Sequence, residues 1–334
     1  MRLRSFSALV AIVAAVAALT LPVTAPALAA PVLHIGIAYD TGGVGDHSIN
    51  DAAAAAVIAV QKKFSVMVDA TVTIGTDADR ESRIRALVAK GCDPVVVVGS
   101  GYATTIKKVS LDFPDHKFAI LNDASVDSLN VAALVFSESQ GGYLAGVAGA
   151  LVSKKQRLGL IAGLGQSPDY ENGFLAGAKA TNKKIVVDTK YVGGDGGAIA
   201  SALINSGSDV LFLTTSGSDA SVFSAVVSAN KAGKSVGLIG VEPDQYLTLT
   251  AEARKYILAS VVKRFDRALI DFITQASADR MLTDVINSEL GVYGRRYGIA
   301  ENAIGLSLWS PTLAKFAKSI NIAAVKASKL STLG

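Results

Sequence analysis

The sequence predicts an α/β protein made of two doubly wound lobes with a central cleft. Apolar strands alternate with amphipathic helices along nearly the whole chain, as in parallel sheets with helical crossovers. The strands are continuous apolar runs, which is typical of sheets covered by helices on both faces. The same alternation starts again near residue 139, so the chain contains two such units.

The first unit begins with the strand VLHIGIAY (residues 32–39). The helix that follows has Ser48 as its predicted N-cap, with Asp51 completing a capping box. A second strand, VMVDATVTI, precedes the helix DRESRIRALVAKG, which Gly91 closes at its C-terminal end. The strands PVVVVG, KFAIL and VAALVF complete the unit, with the helix TTIKKVSLDF between the first two.

The second unit continues the pattern with four helices and four strands. The helices are QGGYLAGVAGALVSKK, PDYENGFLAGAKATN, GAIASALINSG and ASVFSAVVSANKAG, and the strands are LGLIAG, IVVDTKYVG, DVLFLTT and SVGLIGV. The tail adds one strand and helix, YILASVVKRFDRALIDFIT, and a last strand near GLSLW. Because these pieces follow two finished units, we expect the chain to cross between the lobes more than twice.

Residues 1–30 are predicted to be a secretory signal peptide. Arg2 and Arg4 precede an apolar run, and the A-x-A sequence at residues 27–29 is a cleavage site. An apolar run of about 18 residues is also long enough for a membrane anchor. Pro22 interrupts the run, which favours the signal peptide. We therefore expect an exported protein, in the periplasm or at the outer face of the cell membrane.

Composition argues against several classes of protein. Removing the signal leaves 30 basic residues against 28 acidic ones, and no run of Lys or Arg exceeds two, so nucleic-acid binding is not expected. Cys92 is the only cysteine, which excludes an intramolecular disulfide and a lipid-anchor cysteine at the signal junction. We interpret it as a small buried apolar residue.

Motifs of common enzymes are absent from the sequence. Gly159, Gly163 and Gly165 do not keep the G-x-G-x-x-G spacing, and there is no phosphate-binding loop and no G-x-S-x-G. Of the three histidines, only His47 beside Asp46 is a candidate acid-base pair. No clustered zinc ligands are evident, so we predict neither a metal nor a cofactor.

Polar side chains follow the ends of several predicted strands. Ligands of open parallel sheets bind outside the carboxyl ends of the strands, so these side chains are candidates for a binding site. Each also has an ordinary role as a turn former or helix cap. The residues are Asp40, Asp46, Ser100, Tyr102, Asn122, Asp123, Ser216, Gly217, Glu242 and Asp244. Carboxylates, amides and hydroxyls suit an uncharged polar ligand.

Six blocks of the sequence resemble the basic membrane protein family, the substrate-binding proteins of nucleoside ABC importers. They are YDTGGVGDHSIND, LNDASVDSLNVAALVFSESQGGYLAGVAGALVSK, GLGQSPDYENGFLAGAKA, SGSDVLFLTTSGSDASVF, IGVEPDQY and ILASVVKRFDRALIDFI, within residues 32–310. The resemblance implies a type I periplasmic binding fold with two Rossmann-like lobes and three hinge crossings. It implies residues 31–137 with 243–285 as lobe one and 138–242 with 286–334 as lobe two.

The resemblance also implies a set of ligand contacts. Asp40 and Asp46 would hold ribose hydroxyls, Asp123 would be a further sugar contact, and Glu242 and Lys263 would face the polar edge of a base. The full candidate set is Asp40, Asp46, Ser48, Ile49, Asn50, Ser100, Asp123, Gly217, Glu242 and Lys263. A carboxylate can bind two vicinal hydroxyls without a metal, and the turn lacks the ligand spacing of a calcium loop.

Two positions depart from the family pattern. Nucleoside receptors of this family clamp the base between two aromatic rings, where this chain has Ile49 and Asp195. Stacking contributes about 1–3 kcal/mol per base in proteins that bind nucleic acid, so the base site is expected to be weaker. Glu242 also replaces an aspartate. A nucleoside is therefore the default ligand, with another base, a smaller ligand or a sugar-like compound as alternatives.

We therefore expect a non-catalytic solute-binding protein, a monomer that delivers a small ligand to the permease subunits of an ABC importer. The alternative is an extracellular sensor that uses the same cleft to report a ligand to a membrane receptor. Both hypotheses rest on the same predicted cleft, so the sequence does not separate them.

Overall fold

The computed structural model describes residues 32–193, 195–215, 220–242 and 244–329, so the predicted signal peptide lies outside the described residues. Within this part of the chain the predicted alternation of strands and helices is confirmed. The strands are β1 Leu33–Tyr39, β2 Val66–Val72, β3 Val95–Val98, β4 Phe118–Leu121, β5 Val131–Phe136, β6 Arg157–Gly163, β7 Val186–Val192, β8 Val210–Leu213, β9 Gly237–Gly240, β10 Ile257–Lys263, β11 Asp284–Asn287, β12 Val292–Tyr297 and β13 Ile304–Leu308.

The helices cover the faces of the sheets formed by these strands. They are α1 Ile49–Lys63, α2 Asp77–Ala89, α3 Ala103–Asp112, α4 Glu138–Val152, α5 Asp169–Thr181, α6 Gly196–Asn205, α7 Ala220–Lys231, α8 Gln245–Thr248, α9 Ala251–Arg254, α10 Phe265–Ala276, α11 Pro311–Ala314 and α12 Ala317–Ala327. Among the residues described, no helix combines the length and the apolar character needed to cross a membrane.

The strands form two separate sheets. A seven-stranded sheet has the order β11-β12-β5-β4-β3-β1-β2, and a six-stranded sheet has the order β13-β10-β9-β8-β6-β7. Pairing is parallel except for β11 with β12 and β10 with β13, each at one edge of its sheet. Central strands such as β3, β4, β5 and β8 are buried along their whole length, as expected for sheets covered on both faces. The predicted two-lobed α/β fold is confirmed.

The chain passes between the two sheets three times. It leaves the first sheet after β5, returns between β10 and α10, and leaves again between β12 and β13. Helix α10 packs on α1 beside the first sheet, whereas α4 packs on β8, β10 and β13 of the second.

These crossings differ from the predicted division of the C-terminal part. Strand β10 was assigned to lobe one but pairs in the second sheet, and β12 was assigned to lobe two but pairs with β5. The apolar pattern of a strand marks its burial, not the sheet that it joins. We propose lobe boundaries at 32–137 with 265–297, and 138–263 with 304–329.

Glycines allow α4 and α5 to pack with their backbones in contact. Gly142 and Gly146 lie one turn apart on α4, and Gly173 and Gly177 do so on α5. A Cβ atom at any of the four would overlap a backbone carbonyl oxygen of the facing helix. This close packing fixes the N-terminal end of α4, and therefore Glu138, against the second lobe.

The predicted cap of α1 is confirmed, but its predicted capping box is not. The Ser48 hydroxyl accepts a hydrogen bond from the backbone N–H of Asn50. Asp51 turns away from the cap, and its carboxylate accepts from the backbone N–H groups of Gly45 and His47. In a capping box the Asp51 carboxylate would accept from the Ser48 backbone N–H. Here the Asp46 carboxylate accepts from that N–H, and Asp51 binds the two N–H groups of the glycine turn instead.

Candidate functional site

Strands of both sheets end at one cavity of about 530 Å³. This volume is within the range of small-molecule sites, about 300–1,000 Å³. The first-lobe side of the cavity is formed by Ser100, Asn122, Asp123, Ala124, Val135, Phe136 and Arg296. The second-lobe side is formed by Glu138, Gly165, Gln166, Ser167, Asp169, Tyr170, Thr214 and Glu242. The cavity therefore lies where the sequence predicted a cleft, between the carboxyl ends of the two sets of strands.

A buried cluster of charged and polar groups forms one wall of the cavity. The Lys263 side chain is fully buried, and its Nζ lies 2.7 Å from Glu242 Oε1 and 2.5 Å from Glu138 Oε1. The same Nζ donates a hydrogen bond to Asn122 Oδ1 over 2.9 Å. The Tyr170 hydroxyl donates to Glu242 Oε2, and the Tyr170 ring lies beneath the ammonium. Lys263 thus joins groups of both lobes at a crossing point of the chain.

The charges in this cluster do not cancel. Burial alone lowers the pKa of Lys263, but the charges of Glu242 and Glu138 outweigh it, so the pKa is raised and the ammonium stays protonated. Two carboxylates therefore face one ammonium. Glu138 is 22% exposed, so its carboxylate is open toward the cavity. A ligand that donates hydrogen bonds would complete the cluster.

Tyr170 gives the cluster a measurable pH dependence. Burial, followed by the charges of Glu242 and Glu138, raises the pKa of Tyr170 well above its usual value of 10.0. In the unfolded chain the phenol ionises near pH 10, whereas in the folded protein it keeps its proton. The free energy of unfolding contributed by this group is therefore fully present below pH 10 and is lost as pH rises.

We expect the variant Tyr170→Phe to have a shallower alkaline dependence of stability. Above pH 10 its free energy of unfolding should fall less steeply than that of the wild type, by about 1.4 kcal/mol per pH unit. Urea unfolding at a series of pH values between 8 and 11 measures both slopes. Parallel curves for the two proteins would show that the Tyr170 hydroxyl is not held neutral by the cluster.

Asp40 lies beside the cavity without lining it. Its carboxylate is paired with Arg80, with Nη2 3.0 Å from Oδ1, and it also accepts from the Thr41 backbone N–H. A Cβ at Gly101 would lie 3.1 Å from Asp40 Oδ2, so the carboxylate faces the loop that contains Ser100. Ser100 does line the cavity. The role of Asp40 as a ribose contact stays a prediction.

The rest of the glycine turn is held by its own side chains. Asn50 is buried and accepts from the Asp40 N–H while its amide donates to Asp46 Oδ2 and to two backbone carbonyls. The other oxygen of Asp46 accepts from the Ser48 N–H. Ser48 is the helix cap, and Ile49 packs at the edge of the main apolar core. These residues shape the turn, and none of them lines the cavity.

The structure separates the remaining predicted residues into three groups. Ser100, Asn122, Asp123 and Glu242 line the cavity, and Lys263 lies directly behind Glu242. Gly217, like Ser216, lies outside the described residues. Tyr102 and Asp244 have structural contacts: the Tyr102 hydroxyl donates to the Tyr39 carbonyl, and the Asp244 carboxylate accepts from Trp309 Nε1 and the Ser307 hydroxyl.

The sequence analysis missed most of the second-lobe side of the cavity, including Asp169 and Tyr170, and it also missed Glu138 and Arg296. Glu138 follows strand β5 directly, so the rule that selected the other strand ends would also have found it. Arg296 lies on β12, a strand that the sequence analysis did not predict. Its neighbour Arg295 pairs with Asp271 and Asp284, whereas Arg296 points to the cavity. No partner of the Arg296 guanidinium is found among the described residues, so it is available to a ligand.

The two positions without aromatic rings have other functions here. Ile49 packs in the core, and Asp195 caps helix α6 by accepting from the Gly197 N–H. The rings at the cavity belong to Phe136 and Tyr170, and both are almost fully buried. His47, the candidate acid-base residue, has an exposed side chain that contacts Asp51 outside the cavity.

The chain is similar to known proteins over most of its length. Residues 35–328 match the family described as ABC transporter substrate-binding protein PnrA-like. A CD4+ T-cell-stimulating antigen of Listeria monocytogenes is 30% identical over 305 residues, which are 84% of this chain and 82% of the relative. An ABC transporter nucleoside-binding protein, BmpA, of Lactococcus lactis is 26% identical over 257 residues, 72% of this chain and 73% of that protein.

A solved structure supports the fold. An ABC transporter solute-binding protein from Aeropyrum pernix superposes with a TM-score of 0.67 at 24% identity, covering 90% of this chain and 83% of the other. At this identity the likeness concerns the arrangement of the two sheets and their helices.

Proposed function

Because the chain belongs to the PnrA-like family of ABC transporter substrate-binding proteins, we propose that it binds a small polar ligand, by default a nucleoside, in the cavity between its sheets. It would act outside the cytoplasm and deliver this ligand to the permease subunits of an importer. The observation that carries the proposal is the buried Lys263 cluster, which opens onto a cavity of about 530 Å³. The name of the Lactococcus lactis relative supports the choice of a nucleoside.

The charges around the cavity favour a neutral ligand rich in hydrogen-bond donors. Four carboxylates line it, those of Asp123, Glu138, Asp169 and Glu242. Among the described residues, the cations that oppose them are Arg296 in the lining and Lys263 behind it. An anionic ligand would add to an existing excess of negative charge, whereas hydroxyl and N–H groups would donate to the carboxylates. This argument favours a nucleoside over its monophosphate.

Binding would couple the two lobes. Asn122 and Asp123 belong to the first lobe, and Glu138 and Glu242 to the second. A ligand that contacts both sides has more contacts when the lobes are closed. Its affinity for the closed state is therefore higher than its affinity for the open state, and binding shifts the protein toward the closed state. An importer that recognises the closed state would then accept only the loaded protein. A sensor that reports the ligand to a membrane receptor would use the same difference between states.

A sugar-like ligand is the second candidate. It is favoured by Ile49 and Asp195, which leave the cavity without the two stacking rings of the nucleoside receptors. A sugar needs hydroxyl contacts more than ring stacking, and the carboxylates and amides of the lining supply them.

A thermal unfolding panel tests the proposal. We expect a nucleoside to raise the unfolding midpoint of residues 31–334, since a ligand at a hundred times its dissociation constant adds about 2.7 kcal/mol to stability. The panel contains purine and pyrimidine nucleosides, their 5′-monophosphates, free bases, ribose and other small sugars. The monophosphates should give a smaller shift than their nucleosides. A shift with sugars alone would favour the second candidate, and no shift in the whole panel would contradict the proposal.

A further inference from the structure

Three possible metal-binding side chains meet far from the cavity, near the start of the first sheet. His34 is the second residue of β1, Asp69 lies on β2, and Cys92 lies in the loop between α2 and β3. His34 Nε2 lies 2.7 Å from Asp69 Oδ2 and 3.4 Å from Cys92 Sγ. The three donor atoms all lie within 4.8 Å of one another. Only the fold brings them together, because 35 and 58 residues separate His34 from its two partners.

The arrangement is not that of a catalytic triad. In a triad the two ring nitrogens of histidine have different partners, one facing the nucleophile and the other the carboxylate. Here the same nitrogen, Nε2, faces both the thiol and the carboxylate. If Nε2 took a proton from the thiol, no carboxylate of the described residues at Nδ1 would stabilise the resulting imidazolium, as one does in a triad. One nitrogen, one sulfur and one oxygen instead lie close enough together to contact a single ion.

We propose that His34, Asp69 and Cys92 form a binding site for a divalent transition metal, with Zn²⁺ as the expected ion. A mixed nitrogen, sulfur and oxygen set suits Zn²⁺ and disfavours Mg²⁺ and Ca²⁺, which prefer oxygen ligands alone. Three protein ligands leave the fourth tetrahedral position to water. The site is separate from the proposed ligand cavity and does not depend on the proposed function.

The two distances from His34 fit a tetrahedral ion after a small movement, and Cys92 Sγ lies within 4.8 Å of the Asp69 carboxylate. Zn²⁺ bond lengths of about 2.0–2.3 Å place neighbouring nitrogen and sulfur ligands about 3.5 Å apart, and nitrogen and oxygen ligands about 3.3 Å apart. The observed separation of His34 Nε2 and Cys92 Sγ is 3.4 Å, so this pair is already in place. Asp69 Oδ2, now hydrogen-bonded at 2.7 Å, must move back by about half an ångström. It is the most exposed of the three groups.

The surrounding residues tolerate an ion here. Lys90 Nζ pairs with Oδ1 of Asp69, over 2.7 Å, and leaves Oδ2 for the metal. Gly36 lies against Cys92, and a Cβ there would lie 3.1 Å from the Cys92 Cβ, so the glycine gives the loop room to approach β1. Burial raises the pKa of the Cys92 thiol, and the thiol must lose its proton when it binds the ion. Metal binding should therefore release a proton from Cys92.

Distance from the cavity makes the site separately testable. Six residues of extended chain, about 20 Å, separate His34 from Asp40 at the other end of β1. Variants of the cluster should therefore leave nucleoside binding unchanged, and variants of the cavity should leave metal binding unchanged.

Cobalt titration of the full mature chain, without a histidine tag, tests the proposal. Co²⁺ replaces Zn²⁺ in such sites, and its thiolate bond gives an intense charge-transfer absorption that no other group of this single-cysteine chain can produce. We expect this absorption to saturate at one ion per chain and to disappear when Zn²⁺ is added. Cys92→Ala should abolish it, and Asp69→Asn should weaken Co²⁺ affinity at least tenfold.

A matched histidine pair checks the assignment. His34→Ala should lose the cobalt absorption, whereas His47→Ala, whose side chain is exposed outside the cluster, should keep it. Circular dichroism confirms that each variant is folded, and Asp69→Asn, at a partly exposed position, keeps the test valid if a buried variant does not fold. Absence of the charge-transfer band in the wild type, or its retention in Cys92→Ala and His34→Ala, would overturn the proposal.

Discussion

Replacing Lys263 with methionine is expected to lower the free energy of unfolding by about 3–5 kcal/mol and to abolish ligand binding. Methionine has a similar length but no charge, so the buried Glu242 and the partly exposed Glu138 would be left without their shared ammonium. The cost comes mainly from these uncompensated carboxylates rather than from the lost attraction. Urea unfolding at pH 7 measures the change in stability, and calorimetric titration measures binding.

Two further variants show whether the charge is the cause. Lys318→Met removes a lysine from the exposed side of α12, and its free energy of unfolding should stay within about 0.5 kcal/mol of the wild type. The double variant Lys263→Met with Glu242→Gln should recover part of the lost stability, because one carboxylate is removed with the ammonium. Equal stability of Lys263→Met and the wild type would contradict the account of the cluster.

The variant Gly146→Ala is expected to destabilise the protein by about 3 kcal/mol or more. The new methyl group would overlap the carbonyl oxygen of Phe174 in the facing helix, and a backbone atom cannot rotate away as a side chain can. Helices α4 and α5 would have to separate, which would also shift Glu138 at the start of α4. Thermal and urea unfolding measure the loss.

Gly149→Ala on the same helix is the matched control. A Cβ at this position would lie 3.3 Å from Leu158 Cδ1, the flexible end of a side chain. Alanine is favoured over glycine in a helix by about 1 kcal/mol, so this variant should be neutral or slightly stabilised. Similar losses for the two variants would show that the close approach of α4 and α5 is not what makes Gly146 necessary.

Local features of the fold were predictable because the sequence encodes them locally. The apolar runs gave the strands of both sheets, and Gly91, with a φ of +81°, closes α2 as predicted. The sheet to which a strand belongs was not predictable, because β10 and a strand of the first sheet have the same apolar pattern. Strand β12 was missed because Arg295 and Arg296 interrupt its apolar pattern. Arg295 pairs with Asp271 and Arg296 lines the cavity, and neither contact is visible in the sequence.

The candidate site was predictable only in part. Residues at strand ends were found by position alone, so Ser100, Asp123 and Glu242 were selected correctly as neighbours of the cavity. The position of a carboxylate at a strand end does not reveal whether another side chain already pairs with it. Asp40, for example, pairs with Arg80. The contact of Glu138 with the Lys263 ammonium spans 125 residues of sequence, which a local sequence pattern does not encode.

The most direct test of the central claim is a calorimetric titration of the wild type and of Glu138→Gln with the nucleoside that gives the largest thermal shift. Glutamine keeps an oxygen for Lys263 but removes the negative charge that faces the cavity. We predict at least a tenfold weaker affinity for Glu138→Gln and an unchanged affinity for Glu289→Gln, an exposed glutamate after β11. Equal affinities of the wild type and Glu138→Gln would contradict the claim that the ligand binds at the Lys263 cluster.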